Sequence, residues 1–197
     1  DNGINLAPSS LGERQLRALH LAPFEAAVKE AGVQVVMPSY NEVDGVPAHA
    51  SRWLLTTVLR EEWGFAGYTF ADYGAVAMLD GFHHVVAGPD EAGAAALAAG
   101  LDLEAPSAWG FANLAALAAR GAVSPSRVDE AVSRVLRVKF LAGLFDVPRG
   151  LPPEQVRAAV RTPEHVALAR RLADESIILL RNAGGLLPLD ADRVRSL

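Results

Sequence analysis

Residues 67–76 read GYTFADYGAV, and the way this stretch is parsed decides the fold. Tyr68, Thr69 and Phe70 are strand formers in a short apolar run. The run then delivers an acid, Asp72, followed at once by Tyr73 and Gly74. A buried strand that ends on a carboxylate belongs to one of two situations. Asp is a favoured N-cap, so Asp72 can open a helix running through Gly74-Ala75-Val76. Alternatively, the carboxyl end of a parallel strand is where α/β folds build their functional face, and the acid is there for chemistry. Local sequence leaves both open.

Outward from this strand, helical and strand-like patterns alternate. Residues 13–32 have helical spacing at Leu16, Leu19, Ala27, Val28 and Ala31, with Pro23 expected to kink or split the helix and Gly32 to end it. VQVVMPSY (33–40) reads as a buried strand, and Ser51 caps a helix that Gly64 stops. Pro89-Asp90-Glu91 opens an alanine-rich helix ended by Gly100, with its acids at the positive end. LDLEAP (101–106) is a third short strand, and a helix follows near residues 110–120. Ser124-Pro125 starts a helix to Gly143 whose expected buried face is Val128, Ala131, Val132, Val135 and Leu136. DVPRGLPPE (146–154) reads as a linker, and 162–176 as a further helix before the apolar runs IILLRN and LLPL.

Apolar strands alternating with helices predict a parallel α/β arrangement. Three strands would leave raw edges, and barrel closure takes eight strands over roughly 200–250 residues. The expected fold is therefore the C-terminal portion of a TIM-type (β/α)8 barrel, incomplete on its own. A chain that opens on Asp1 rather than Met, through DNGINLAPSS, fits that expectation of a piece.

Composition narrows the function. Of 197 residues, 51% are hydrophobic and 21% charged, as in globular domains. A net charge of −5 argues against nucleic acid or anionic membrane as a main partner. With no cysteine, neither a disulfide framework nor a thiolate metal site is available. The longest apolar stretch, around 92–101, is too short to span a bilayer.

Polar groups collect at three strand ends: Ser39, Tyr40 and Asn41; Asp72 and Tyr73; Asp102 and Glu104. Carboxylates with aromatic rings nearby suit sugar chemistry, the acids supplying nucleophile and proton donor and the rings stacking on sugar faces. Asp102 and Glu104 alternate along one strand and would share a face, where ion pairing competes with catalysis or with magnesium binding. The adjacent His83 and His84 point opposite ways on an extended segment and lack a third ligand at sensible spacing, so they read as loop residues. His20 and His165 read as surface, Trp53 and Trp63 as packing, and Trp109 as either a site-mouth or a half-buried loop aromatic. No phosphate-cradling glycine motif or serine nucleophile elbow is present.

The stretch VVMPSYNEVDGVPAHASRWLLTTVLREEWGFAGYTFADYGAV resembles the signature region of glycoside hydrolase family 3, in its β-glucosidase/β-xylosidase branch. AAGLDLEAP is similar to that family's AGLDMEMP, and DESIILLRNAGGLLPL to the exit from its first domain. The resemblance covers nearly the whole chain in order. It implies residues 1–145 as the C-terminal part of the barrel domain and 146–197 as a linker, helix and lead-in to a C-terminal α/β sandwich domain. It makes Asp72 the catalytic nucleophile of a retaining β-glycosidase. Met37 and Tyr40 become sugar contacts, with Tyr40 also bonding the nucleophile, and Tyr73 a wall of the sugar pocket. Two departures stand out: Ala71 replaces a common Ser, and Tyr73 a common Trp. His49 falls where the family often has a small residue or Cys, and reads as surface or pocket wall. The resemblance places the acid/base in the domain after LLPL, and a Lys-His pair with acidic and Arg sugar ligands in an upstream half-barrel. No cofactor or metal is implied. The expected partner is a β-glucoside-like carbohydrate, and the expectation for this chain alone is negligible turnover. A non-catalytic remnant that folds with a partner chain is the alternative.

Overall fold

The computed structural model describes residues 4–146, 150–190 and 192. The chain divides into two units, Asp1–Val147 and Pro148–Leu197. In the first, GYTFADYGAV is the middle of a parallel ladder. Strand β1 (Val35–Val36) pairs in parallel with β4 (Tyr68–Thr69). On the other side of β4, Phe70 forms a parallel bridge with Leu103. The order 35–36, 68–69, 103 with all directions parallel is what strand–helix alternation requires.

The paired segments are shorter than the strands expected from sequence. Among the described residues β1 pairs only with β4, and Val35 on it is 41% exposed, so a flanking strand does not extend its ladder. Between β1 and β4 lies an element the sequence reading passed over. Strands β2 (Glu42–Val43) and β3 (Val46–Pro47) form an antiparallel hairpin. Its two-residue loop is Asp44-Gly45, with φ of 50° and 80°, the positive pair that a type I′ turn demands.

Helices return the chain between strands. Helix α1 covers 13–29 as three contiguous segments, Glu13–Gln15, Leu16–Leu21 and Ala22–Lys29. The middle segment has π spacing just before Pro23. Proline has no N–H to give to the preceding turn, and the helix absorbs that loss by widening rather than breaking. Helix α2 (Trp53–Glu62) is also wound with π spacing. Ser51 caps it as expected, its Oγ accepting from the Leu54 N–H at 3.3 Å, and Gly64 stops it at φ 74°. Helix α3 (Ala75–Gly81) follows Asp72, and α4 (Gly88–Ala99) is the alanine-rich helix ended at Gly100. Helix α5 (Leu114–Ala119) and α6 (Pro125–Leu141) complete the unit.

The core lies between the ladder and α2, α3 and α4: Leu55, Ala71, Val76, Leu79, Ala92, Ala96, Ala99 and Leu101 are all buried. Each fully buried Leu or Val here contributes about 1.5–3 kcal/mol. Small residues on α4 permit close approach, since a Cβ on Gly93 would sit 2.1 Å from the Gly110 carbonyl oxygen. A second cluster of Leu97, Leu117, Val123 and Ala131 joins α4, α5 and α6. Of the face expected to be buried on α6, Ala131 is; Val132 is 51% and Leu136 40% exposed. That amphipathic helix uses one edge of its apolar stripe within this unit and leaves the other bare.

In the second unit α7 (Pro153–Ala159) begins inside the stretch expected to be linker, while 147–149 of that stretch lie outside the described residues. Helix α8 (Pro163–Ser176) starts where predicted, the Thr162 Oγ accepting from the His165 N–H. The apolar residues after it are exposed, Ile177 at 79% and Leu180 at 93%.

Candidate active site

The ladder delivers Asp72 to its carboxyl end, and the neighbouring bonds show which groups its backbone and carboxylate meet. The Ala71 N–H donates to the Leu103 carbonyl at 2.8 Å and the Gly74 N–H to the Ala105 carbonyl at 3.1 Å. Gly74, at φ 75°, turns the chain into α3. Helix α3 carries no side-chain cap: its entry uses the Asp72 carbonyl oxygen, which accepts from the Ala75 N–H, and not the carboxylate. The carboxylate oxygen Oδ1 instead accepts from the Tyr73 N–H at 2.7 Å. The capping reading of Asp72 thus fails on geometry.

Tyr40 leans in from the end of β1. Its hydroxyl donates to the Tyr73 carbonyl at 2.9 Å. A hydrogen bond to the Asp72 carboxylate, followed by burial, raises the phenol above its ordinary pKa. A cavity of about 450 Å³ opens beside them, and Met37, Tyr40, Asn41 and Asp72 line it together with apolar residues such as Leu55 and Trp63. Met37 is 53% exposed at its rim. Tyr73 is not among the lining residues; it is 60% exposed, with its ring tilted against Phe70 at 6.4 Å. Three of the four expected site residues meet at the cavity, and the fourth stands at the surface beside it.

The other strand-end carboxylates are committed elsewhere. The Asp102 side chain is wholly buried and pairs with Arg60 at 2.5 Å, Arg127 at 2.7 Å and Arg134 at 2.9 Å. It also accepts from the Thr69 N–H at 3.0 Å. Glu104 accepts from the N–H groups of Gly110 (3.0 Å) and Phe111 (2.7 Å), fixing the loop after the third strand. The ion-pair reading of Asp102 wins, and Glu104 serves as an acceptor for the loop that follows its strand.

Two histidines are more buried than their sequence readings implied. His49 is 2% exposed, and its Nε2 accepts from the Asp72 N–H at 3.1 Å. Desolvation by burial, first among several influences, lowers its pKa from 6.5 to about 4. The His83 side chain is 3% exposed, with Nε2 3.0 Å from the Tyr40 carbonyl oxygen and Nδ1 3.7 Å from a Glu42 carboxylate oxygen. His49 is no surface residue, and His83 lies in the loop after α3 as read but with its ring buried. The sequence signal was the setting of His49 between Ala48 and Ala50, just ahead of the cap Ser51: a lone imidazole among small apolar neighbours at a helix entrance has to be satisfied internally.

The whole is an α/β domain whose reactive groups gather at the carboxyl ends of parallel strands. The model of the glycosyl hydrolase family 3 N-terminal domain matches residues 1–138, and the chain belongs to that family. It is similar to a β-xylosidase of Formosa agariphila, 38% identical over 99% of this chain and 28% of the relative. It is also similar to a β-glucosidase of Rhizobium radiobacter, 39% identical over 92% of this chain and 20% of the relative. Among solved structures, a β-glucosidase from Erythrobacter marinus superposes with a TM-score of 0.85 at 42% identity, over 97% of this chain and 25% of that one. The chain thus spans about a quarter of the length of the relatives it matches.

Proposed function

We propose that this chain is the nucleophile-bearing part of a retaining, exo-acting β-glycosidase that hydrolyses terminal β-glucoside-like sugars. The observation that carries the reading is a carboxylate at the end of a parallel strand, released from helix capping, with a phenol beside it and a cavity in front. In this reading residues 1–145 are the C-terminal part of a (β/α)8 barrel, and 146–197 lead towards a further domain. Asp72 attacks the anomeric carbon and forms a glycosyl ester as the bond to the leaving oxygen breaks. A second carboxylic acid protonates that oxygen and then, as a base, takes a proton from the water that releases the sugar. Retention needs the two carboxyls about 5–5.5 Å apart. Asp102 and Glu104 are held in structural contacts, and the resemblance to the family places the second acid in a domain beyond residue 197. Tyr40 and the Tyr73 N–H hold the carboxylate and set its direction, while Met37 and Tyr73 frame the sugar.

Labelling with a 2-deoxy-2-fluoroglucoside in a full-length enzyme carrying this segment tests the assignment, with the label expected on the peptide containing Asp72. Label on any other acid overturns it. The Asp72→Asn substitution is expected to lower turnover by about three or more orders of magnitude, as the loss of a covalent nucleophile does. The 197-residue chain by itself is expected to show negligible turnover of a fluorogenic β-glucoside; rates near those of the full-length relatives would contradict this.

A second reading, a segment that serves only with a companion polypeptide, is favoured by the exposed β1 edge and by Met37 standing half in solvent. The same turnover assay, repeated with the remaining portion of a family enzyme added, separates the two.

A further inference from the structure

The hydrogen bonds between β1 and β4 follow a regular step that stops one rung early. The Tyr68 N–H donates to the Gln34 carbonyl and the Phe70 N–H to the Val36 carbonyl, each advancing by two residues. A parallel ladder continued by one more step joins the Asp72 N–H to the Pro38 carbonyl. That bond is not made. The Asp72 N–H turns to His49 Nε2 instead.

We propose that His49 is the positioning residue of the Asp72 carboxylate: its neutral imidazole takes the place of the third rung and wedges the ends of β1 and β4 apart. This rests on the reading of Asp72 as the nucleophile. A ring nitrogen that accepts an N–H carries no proton, so the proton of the neutral ring is on Nδ1. A backbone hydrogen bond with Ser39 is among the influences on the ring. One side chain therefore ties the loop after β1 to the acid at the end of β4. Tyr40 and the cavity lie beside the rung that is not made. With the Ala71 and Gly74 N–H groups given to the third strand, the Asp72 peptide is held from both sides. The direction of the Asp72 carboxylate is then fixed by the backbone rather than by the substrate.

The groups around the ring are few. Asp72 favours its protonation and His83 opposes it, while burial outweighs both. His83 in turn meets Glu42 and the Tyr40 carbonyl. Helix α4, packed against the turn carrying His49, offers no titratable side chain between Ala92 and Ala99. Helix α3 brings only Asp80, and α2 carries its charges, Arg60, Glu61 and Glu62, at its far end.

Nitrogen-15 NMR of the histidines and kinetics, both in a full-length enzyme carrying the segment, test this. The expected spectrum shows His49 with a protonated Nδ1 and a bare Nε2, unchanged from pH 8 to below pH 5. An Nε2-protonated ring, or one that titrates near its ordinary value, overturns the proposal whether or not any variant folds. In the kinetics, His49→Leu fills the volume without an acceptor and is expected to lower kcat by about 10- to 100-fold with KM little changed, as small misplacements of a reacting group do. His49→Gln, which keeps an acceptor and a donor, is expected to recover most of that loss. Equal kcat in the parent and His49→Leu refutes the positioning role, as does failure of His49→Gln to exceed His49→Leu. Failure of the nucleophile reading is seen separately, as activity surviving Asp72→Asn.

Discussion

At the scale of single residues, burial decides which charges the fold keeps. His49 is held neutral: its pKa is 6.5 when unfolded and about 4 in the fold. The stability it contributes is complete above pH 6.5 and is lost as pH falls from there through about 4, because the unfolded chain takes up the proton first. At about 1.4 kcal/mol per unit this comes to about 3 kcal/mol. Urea denaturation of the chain between pH 7 and 4 is expected to show that decline, and His49→Gln to flatten it. Asp102 presents the opposite case, a buried charge retained because three guanidiniums face it. Desolvation lowers Arg60 to about 10, with Asp102 the largest influence opposing it. Buried nitrogens remain without partners even so, Arg60 Nε and Arg127 Nη1. Asp102→Asn leaves three crowded cations and is expected to cost about 3–5 kcal/mol in urea denaturation at neutral pH; a loss below 1 kcal/mol would contradict that account.

At the scale of elements, close approaches between backbones set the register of the ladder. A Cβ added to Gly67 would meet the Gln34 carbonyl oxygen at 2.1 Å, and this is the carbonyl that receives the first rung from Tyr68. Gly67→Ala is expected to destabilise the chain by about 2–3 kcal/mol, since backbone and not a flexible side chain has to move. A melting temperature equal to that of the parent would show that the strands can part there freely. Helix positions, the cap at Ser51, and the stops at Gly64 and Gly100 were legible in the sequence because each rests on a local rule. The extent of each strand was not, since pairing depends on neighbours the local pattern does not contain. The Asp44-Gly45 hairpin was legible and overlooked, its Asp-Gly pair lying between short runs on either side. Asp72, Met37 and Tyr40, singled out through the motif around them, line one cavity. His49 was missed because its role depends on a rung that β1 fails to supply, which only the assembled ladder reveals.

At the scale of the whole chain, apolar surface is left uncovered within each unit. In the first, Val132, Leu136 and Phe140 repeat every four residues along α6, with Phe140 61% exposed. In the second, Ile177 to Leu180 are exposed in succession. Surfaces of this kind are rare on stable monomers. The chain on its own is expected to self-associate above micromolar concentration and to bind the dye ANS, both measurable by light scattering and fluorescence; a monodisperse monomer that leaves the dye dark would show that these faces close on themselves.

The cluster at Asp102 has a bearing on how relatives of this chain can exchange parts. Its carboxylate comes from the third strand, while the arginines come from α2 and α6, so a single fastener spans residues 60 to 134. Genetic crossovers between family members inside that interval would pair an acid from one parent with guanidiniums tuned to another. Crossovers outside it would carry the fastener across whole. Recombined enzymes that survive selection are expected to have their junctions outside 60–134, which makes this stretch the unit of inheritance for the strand that bears Asp72.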